Sequence, residues 1–336
     1  MENPTKKSKV YFKRFEENIT EENIKEGLLS LWHRSKETLK LQNKLTALKL
    51  SLEYDKYIRP DWIKPIIDDI KKDIVPLFIV QNNLLTEDNK SNAIELLMLL
   101  DSYGYNTERL GIPVIIGDGL IGQDSQALQV RGDHLDSAKI AKTITESEAI
   151  ILINTLTTYK GKYFSGAIKG LGMDTASLSG KLIQLSRSLP EVDIEKCVAC
   201  GTCIKVCPAN AIGLKKKKAI LVKERCIACA ECAVSCKVSA IKIMYDENPV
   251  KFQEKMVEYA LGVKSYFKSR ALFINILPDN LGLVAGNDPV SVDKASIDII
   301  QNNPAKGSFN DIDLKTQFEH AEKIKLGSTQ YEIEEL

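Results

Sequence analysis

Cys197–Val198–Ala199–Cys200–Gly201–Thr202–Cys203–Ile204–Lys205–Val206–Cys207–Pro208 and Cys226–Ile227–Ala228–Cys229–Ala230–Glu231–Cys232–Ala233–Val234–Ser235–Cys236 are the two stretches on which the reading of this chain turns. Both have the spacing Cys-x2-Cys-x2-Cys-x3-Cys, and they hold all eight cysteines of the 336 residues. Three thiolates two residues apart wrap a tight loop around three corners of a cubane, and the fourth corner needs a ligand from a more distant segment. Structural zinc is the main competitor. It takes four ligands, usually from two Cys-x2-Cys knuckles, whereas each set here has a third close cysteine.

The spacing is that of bacterial two-cluster ferredoxins, in which the fourth cysteine of each run crosses to the other cluster. It assigns Cys197, Cys200, Cys203 and Cys236 to one [4Fe–4S] cluster, and Cys226, Cys229, Cys232 and Cys207 to a second. Ala211–Leu214 and Ala219–Val222 read as short strands joined by Lys215–Lys218, and Ala240–Met244 repeats the first strand after the second run. Two βαβ-like halves result, an α+β ferredoxin-like unit over residues 188–246. Lys237 stands where the second run would carry a proline, which changes the backbone preference there and puts a cation near the first cluster. Between Glu191 and Asp246, ten Lys/Arg and six Asp/Glu leave a net charge of +4. Two oxidised cubanes, each about −2 with its thiolates, cancel that excess. The Lys215–Lys218 run reads first as a solvated hairpin tip and second as a dock for an acidic partner.

Outside this unit the chain alternates strands and helices, the pattern of an α/β domain with a largely parallel sheet. That domain is discontinuous, residues 8–187 plus 247–336. Strands are expected at Val10–Phe12, Leu45–Leu52, Val75–Val80, Pro113–Ile116, Ala149–Ile153, Ala271–Leu277 and Leu283–Ala285. Helices are expected after Thr20, from Pro60, after Ser91 to Tyr103, over Phe252–Gly262 and from Asp288–Pro289. Leu128–Val130 and Leu135–Ile140 flank Gly132–Asp133 as a hairpin. Forty-six basic and 45 acidic residues leave a net charge of +1, which gives no reason to expect a nucleic-acid partner. Met1–Ser8 is followed by no apolar signal segment, and no apolar run spans a bilayer, so the expected location is the cytoplasm, without membrane association. Thiols stay reduced there, which favours metal ligation over disulfides.

Two further stretches could carry chemistry. Lys160–Asp174 combines glycines with Lys160, Lys169 and Asp174, and Gly286–Pro289 carries Asp288 with Asp293 one turn on. These five charged residues are candidates for binding a cofactor or anion. Neither stretch matches the P-loop or the dinucleotide fingerprint, and the competing readings are a Gly-rich helix packed tightly on the sheet and a plain helix start. His33, His134 and His320 lie far apart in sequence and in no motif.

Gly166–Met173 with Gly180–Lys181, the two cysteine runs, and Asn287–Ser296 occur in that order, along with Ile58–Pro60, Gly111–Gly119 and Gly327–Tyr331. Together they resemble the iron–sulfur proteins of domain-of-unknown-function family 362. The resemblance implies an α/β domain interrupted by a two-cluster ferredoxin unit, and no settled reaction. The chain departs from the family pattern in three places. Lys49–Glu53 replaces a strand end that commonly carries histidine and glycine. Asn154–Leu156 and Tyr159–Gly161 stand where histidines are common. Pro278–Gly282 runs on where an Asp-Cys-Asp-Cys stretch is frequent.

The expected function is electron transfer, or a part in a redox enzyme, with a redox partner protein or a small-molecule substrate. The alternative is a non-catalytic scaffold or assembly factor whose clusters are structural. A flavin-type cofactor lacks any fingerprint in the chain.

Overall fold

Fully buried runs rich in Val, Ile and Leu need cover on both faces, and a parallel sheet between helices provides it. The computed structural model describes residues 7–15, 20–37, 39, 44–51, 58–74, 77–82, 92–159, 163–303, 309 and 312–336. The chain runs through β1 (Ser8–Arg14), α1 (Glu21–Lys36), β2 (Thr46–Leu50), α2 (Pro60–Asp73), β3 (Leu77–Gln81), α3 (Ala93–Ser102), α4 (Thr107–Leu110) and β4 (Val114–Ile116). Next come β5 (Ser125–Gln129), β6 (Ser137–Ala141), α5 (Lys142–Glu146), β7 (Ala149–Thr155), β8 (Thr157–Tyr159), β9 (Tyr163–Ser165), α6 (Ala167–Gly172) and α7 (Leu178–Leu185). The cysteine segment comprises β10 (Glu191–Val192), α8 (Thr202–Lys205), β11 (Ile212–Lys215), β12 (Lys218–Leu221), α9 (Glu231–Val234) and β13 (Ile241–Lys242). The chain closes with α10 (Pro249–Phe267), β14 (Ala271–Ile276), β15 (Gly282–Gly286), α11 (Pro289–Gln301), α12 (Lys315–Lys323) and β16 (Tyr331–Glu335).

Eight strands form one mixed, mostly parallel sheet in the order β16-β1-β15-β14-β7-β2-β3-β4. The five from β14 to β4 are mutually parallel, β15 runs antiparallel to both its neighbours, and β16 lies parallel to β1 at the edge. Alternation within the strands separates two cores. Ala47, Val80, Ile150, Leu152 and Phe273 face α6, α10 and α11. Leu48, Ile79, Ile151, Ile153 and Ile274 face α1 and α2.

Local signals explain most boundaries. Thr20 caps α1 and completes a reciprocal box with Asn23. Pro60 occupies the first turn of α2, and Ile63, Ile66, Ile67 and Ile70 form its buried stripe. Asn92 caps α3 by accepting from Glu95 N, while the expected cap Ser91 lies outside the described residues. So do Leu52 and Val75, the expected ends of two strands. α10 is longer than the expected Phe252–Gly262 because Asn248 caps it early and Pro249 starts it. The hairpin pairs Ser125–Gln129 with Ser137–Ala141, slightly displaced from the expected bounds.

In the cysteine segment β10 pairs with β13 and β11 with β12, both antiparallel. The β11–β12 turn has φ of 50° at Lys216 and 57° at Lys217, the left-handed pair that a two-residue hairpin turn requires. Ile212, Ala219, Ala233 and Ile241 pack with Cys197, Cys203 and Cys232 in a third core, which also takes in Leu178 and Leu182 of α7. Among the described residues, no helix is long and apolar enough to cross a membrane.

Candidate functional site

The two cysteine runs fold alike. Ala199 (φ 57°) and Gly201 (φ 74°) separate the first three cysteines, and Ala228 (φ 53°) and Ala230 (φ 63°) separate the equivalent three in the second run. Left-handed residues alternating with ordinary ones turn successive backbone N–H groups toward one centre, an arrangement suited to anions and iron–sulfur groups. Alanine in this conformation costs roughly 1–2 kcal/mol per residue, so three such alanines mark backbone held against its own preference. Each run then enters a one-turn helix, α8 or α9, and the two helices pack together.

The fold leaves a cavity at each run. One is lined by Cys207, Cys226, Cys229 and Cys232. The other is lined by Cys197, Cys200, Cys203 and Cys236. Each therefore takes three cysteines from one run and the fourth from the other. Ala211 N donates to Cys207 Sγ at 3.2 Å, Ala240 N to Cys236 Sγ at 3.2 Å, and Ala219 N to Cys197 Sγ at 3.3 Å. Burial pushes the Cys232 thiol up to about 12, with Cys229 and Cys226 adding to the shift. Burial also raises Cys203 and Cys229, whereas the Thr202 hydroxyl lowers Cys200, with Lys237 contributing. Among the described residues, no group of three or more His, Cys, Asp or Glu is placed to hold a single metal ion. A cubane is a larger object than one ion and holds its thiolates farther apart, and the four-cysteine cavities fit that donor set.

Lysines support both runs from behind. Lys218 Nζ donates to Cys197 O at 2.8 Å, so one member of the expected hairpin-tip run is a strut of the first site. Lys139 Nζ, from β6, donates to Cys229 O at 3.2 Å and pairs with Glu231. Sequence reasoning missed Lys139 because its segment carries no local link to the cysteines.

A second polar region lies along the carboxyl ends of the parallel strands, where α/β folds place ligands. Lys49 of β2, Gln81 of β3, Asp118 after β4, Asn154 of β7 and Asn275 of β14 are all buried there. Lys49 Nζ donates to Gln81 Oε1 at 2.5 Å and to Leu50 O at 3.2 Å. Burial lowers Lys49 to about 7, against the opposing pull of Asp174. Lys169 and Asp174 are brought together as an ion pair at 2.9 Å. Burial pushes Asp174 up, but Lys169, Lys49 and Lys181 outweigh it and hold the carboxyl below its usual value. Burial also lowers Lys181, which faces Asp118 and Asp174. The buried Lys49, Lys169, Lys181 and Asp118 and the partly exposed Asp174 make a group with one excess cation when all are charged.

The other candidates separate. Asp293 Oδ1 accepts from Ala167 N at 2.7 Å and Asn275 Nδ2 at 2.6 Å, and its Oδ2 accepts from Ile168 N at 2.8 Å. It ties the start of α6 to β14. Burial raises it to about 6, against those three donors. Asp288 caps α11 through Val290 N and accepts from Ser8 Oγ and Ser328 N, binding together β1, α11 and the approach to β16. Lys160 lies outside the described residues. The glycines of the 166–172 stretch serve close packing. A Cβ on Gly170 would stand 2.1 Å from Asn154 Oδ1, and one on Gly172 2.1 Å from Met256 O.

Two histidines read as isolated meet in space. His134 Nε2 lies 2.7 Å from Glu254 Oε2, His320 Nε2 lies 3.2 Å from Glu258 Oε1, and the rings stack at 6.1 Å. α10 joins them, because Glu254 and Glu258 stand one turn apart.

Comparison with known families matches residues 47–298 to the domain of unknown function DUF362. The chain belongs to the DUF362 family. A search of curated proteins found no match. Among solved structures, the lactate racemase apoprotein from Thermoanaerobacterium thermosaccharolyticum is similar, at 9% identity and a TM-score of 0.44. The alignment covers 89% of this chain and 59% of that one, so the DUF362 chain spans less than two thirds of its length. The DUF362 match runs through both cysteine runs and through the carboxyl edge from β2 to β14.

Proposed function

We propose that this DUF362 chain binds two [4Fe–4S] clusters and works as an electron-transfer protein or as the electron-carrying part of a redox enzyme. The observation that carries the reading is the three-plus-one division of eight cysteines between two cavities. Clusters of this type accept and release single electrons when bound. The chain's own residues supply the rest. Cys197, Cys200, Cys203 and Cys236 would hold one cluster, and Cys207, Cys226, Cys229 and Cys232 the other. The N–H groups of Ala211, Ala219 and Ala240 donate to sulfur, which favours the more electron-rich state. Lys139, paired with Glu231, and Lys218 fix carbonyls of the two loops, and Lys218 adds positive charge beside the first.

The structural reading has one observation of its own. Cys197, Cys203 and Cys232 are part of the third hydrophobic core, so the metal group and the local fold depend on each other. Anaerobic purification with iron and sulfide counts, followed by EPR during dithionite titration, decides between them. About eight irons per chain with a reversible, spin-coupled reduced signal supports the redox role. Eight irons that resist reduction favour the structural role, and zinc or about four irons rejects two clusters.

A further inference from the structure

We infer that the face of the first cysteine run around Cys200 is the docking surface for an acidic one-electron carrier protein. The inference rests on the electron-transfer reading and adds which of the two sites meets the partner. The runs are attached differently. The second is held by the α/β domain. Lys139 of β6 donates to Cys229 O and pairs with Glu231, and Gln123 Nε2 donates to Ser235 Oγ. The first is held from within its own segment, by Lys218 Nζ on Cys197 O and Ala219 N on Cys197 Sγ. Of the eight cysteines, Cys200 alone is exposed. Val198, Leu214 and Val238, from three separate stretches, line the same cavity as Cys200 and are exposed as well, Val198 to 64%. Apolar side chains gathered at one point, rather than scattered singly, mark a contact surface. Electron-transfer encounters use small surfaces of this kind, with an apolar centre and a polar rim.

Charge selects the partner. Lys215, Lys216 and Lys217 follow Leu214 at the tip of the β11–β12 hairpin, and Lys237 stands beside Val238. All four are exposed. Among the described residues, the ion pairs that reach the segment from Glu191 to Asp246 take up two of its acids, Glu231 with Lys139 and Asp246 with Arg187, and none of these four lysines. Asp193 lies near Lys196 and Lys242 instead. Four rim lysines therefore exceed the charge of about −2 that an oxidised cubane with its thiolates would bring. An acidic protein surface neutralises that excess and is steered to this face. An anionic lipid surface would match the charge too, but it fills no recess around Cys200 and accepts no electron.

The test is stopped-flow oxidation of the reduced holoprotein, freed of dithionite, by two high-potential proteins of opposite charge, acidic plastocyanin and basic cytochrome c. Plastocyanin should react faster at low salt than at high salt. The triple variant K216E/K217E/K237E should slow plastocyanin roughly tenfold or more and leave cytochrome c as fast as before or faster. All three side chains are exposed, and K216Q/K217Q/K237Q gives a smaller change in the same direction should charge reversal disturb folding. A plastocyanin rate that rises with salt, or that both variants leave unchanged, would overturn the inference while leaving two reducible clusters standing. Equal slowing of both acceptors would mean that the lysines act on the cluster and would overturn it too. So would sedimentation with vesicles of phosphatidylcholine and phosphatidylserine that is lost in the triple variant, which would give the face to a lipid surface. An iron-loaded chain that dithionite cannot reduce would overturn the inference together with the electron-transfer reading.

Discussion

Cys207 and Cys229 line one cavity although they come from different runs, and Cys236 is likewise grouped with Cys197 across the segment. This crossing ties the two halves together, since each run contributes a cysteine to the other's cavity.

Cys207→Ser should therefore damage the same centre as Cys226→Ser, and Cys236→Ser the same centre as Cys197→Ser. Mössbauer and EPR spectra of the four variants check this, because the two pairs should each lose a common component. A shared lesion in Cys207→Ser and Cys197→Ser would refute the crossing.

Lys49 links stability to pH. It titrates near 10.5 in an unfolded chain and near 7 in the fold, with burial as the main cause. Between those values the unfolded chain holds more protons, so stability rises with pH. The contribution is complete above about 10.5 and is lost as pH falls through about 7. Urea midpoints at pH 7, 8 and 9 should climb in the wild type and climb less steeply in Lys49→Met. At pH 7 that variant should be more stable by about 1–4 kcal/mol, the range for replacing buried charge with a packed apolar group.

Asp293→Asn should cost about 1–3 kcal/mol, because an amide nitrogen would face a backbone donor that now finds a carboxylate oxygen. The lost partner is Ala167 N or Ile168 N, depending on the rotamer. Denaturation of wild type and variant at pH 7.5 measures it. An unchanged midpoint would show that α6 does not depend on this anchor.

Gly172→Ala and Gly201→Ala should differ in severity. At Gly172 the new Cβ would meet the backbone oxygen of Met256 at 2.1 Å, and α6 would have to move off α10, at a cost of about 3 kcal/mol. At Gly201 no atom lies within 4 Å and only φ of +74° opposes the change, about 1–2 kcal/mol. Chemical denaturation of both variants with metal content held equal gives the comparison. Equal losses would mean that the α6–α10 contact yields easily.

Covalent spacing made the cysteine pattern legible, since three cysteines of each set lie within seven residues of chain. The apolar strands β2, β3, β7 and β14 were legible from buried runs, and Asp288 from its place before a proline. β16 was not read as a strand, because Tyr331–Glu335 alternates few apolar groups and its place at the sheet edge comes from pairing with β1, with Arg34 of α1 and Asp298 of α11 bonding to Glu334 and Tyr331. Lys169 and Asp174 are five residues apart and could be read as a pair, whereas Lys49, Asp118 and Lys181 join them only through the parallel crossovers. Lys139 and Lys218 show the same limit, for a side chain's reach to a carbonyl leaves no periodicity in sequence. Lys49–Ser51, Asn154–Leu156 and Pro278–Gly282 stand at the carboxyl ends of β2, β7 and β14, one edge that no single stretch reveals.

The pairing of β1 with β15 and β16 bears on how the molecule is made. Both neighbours of β1 in the sheet are drawn from residues 282–335, far along the chain from Ser8–Arg14. Such distant pairings are slow, because loop closure comes before any reward in contacts. A nascent chain thus carries Val10–Phe12 without its partners until residues 282–335 have been made, and needs shielding of that strand in the interval.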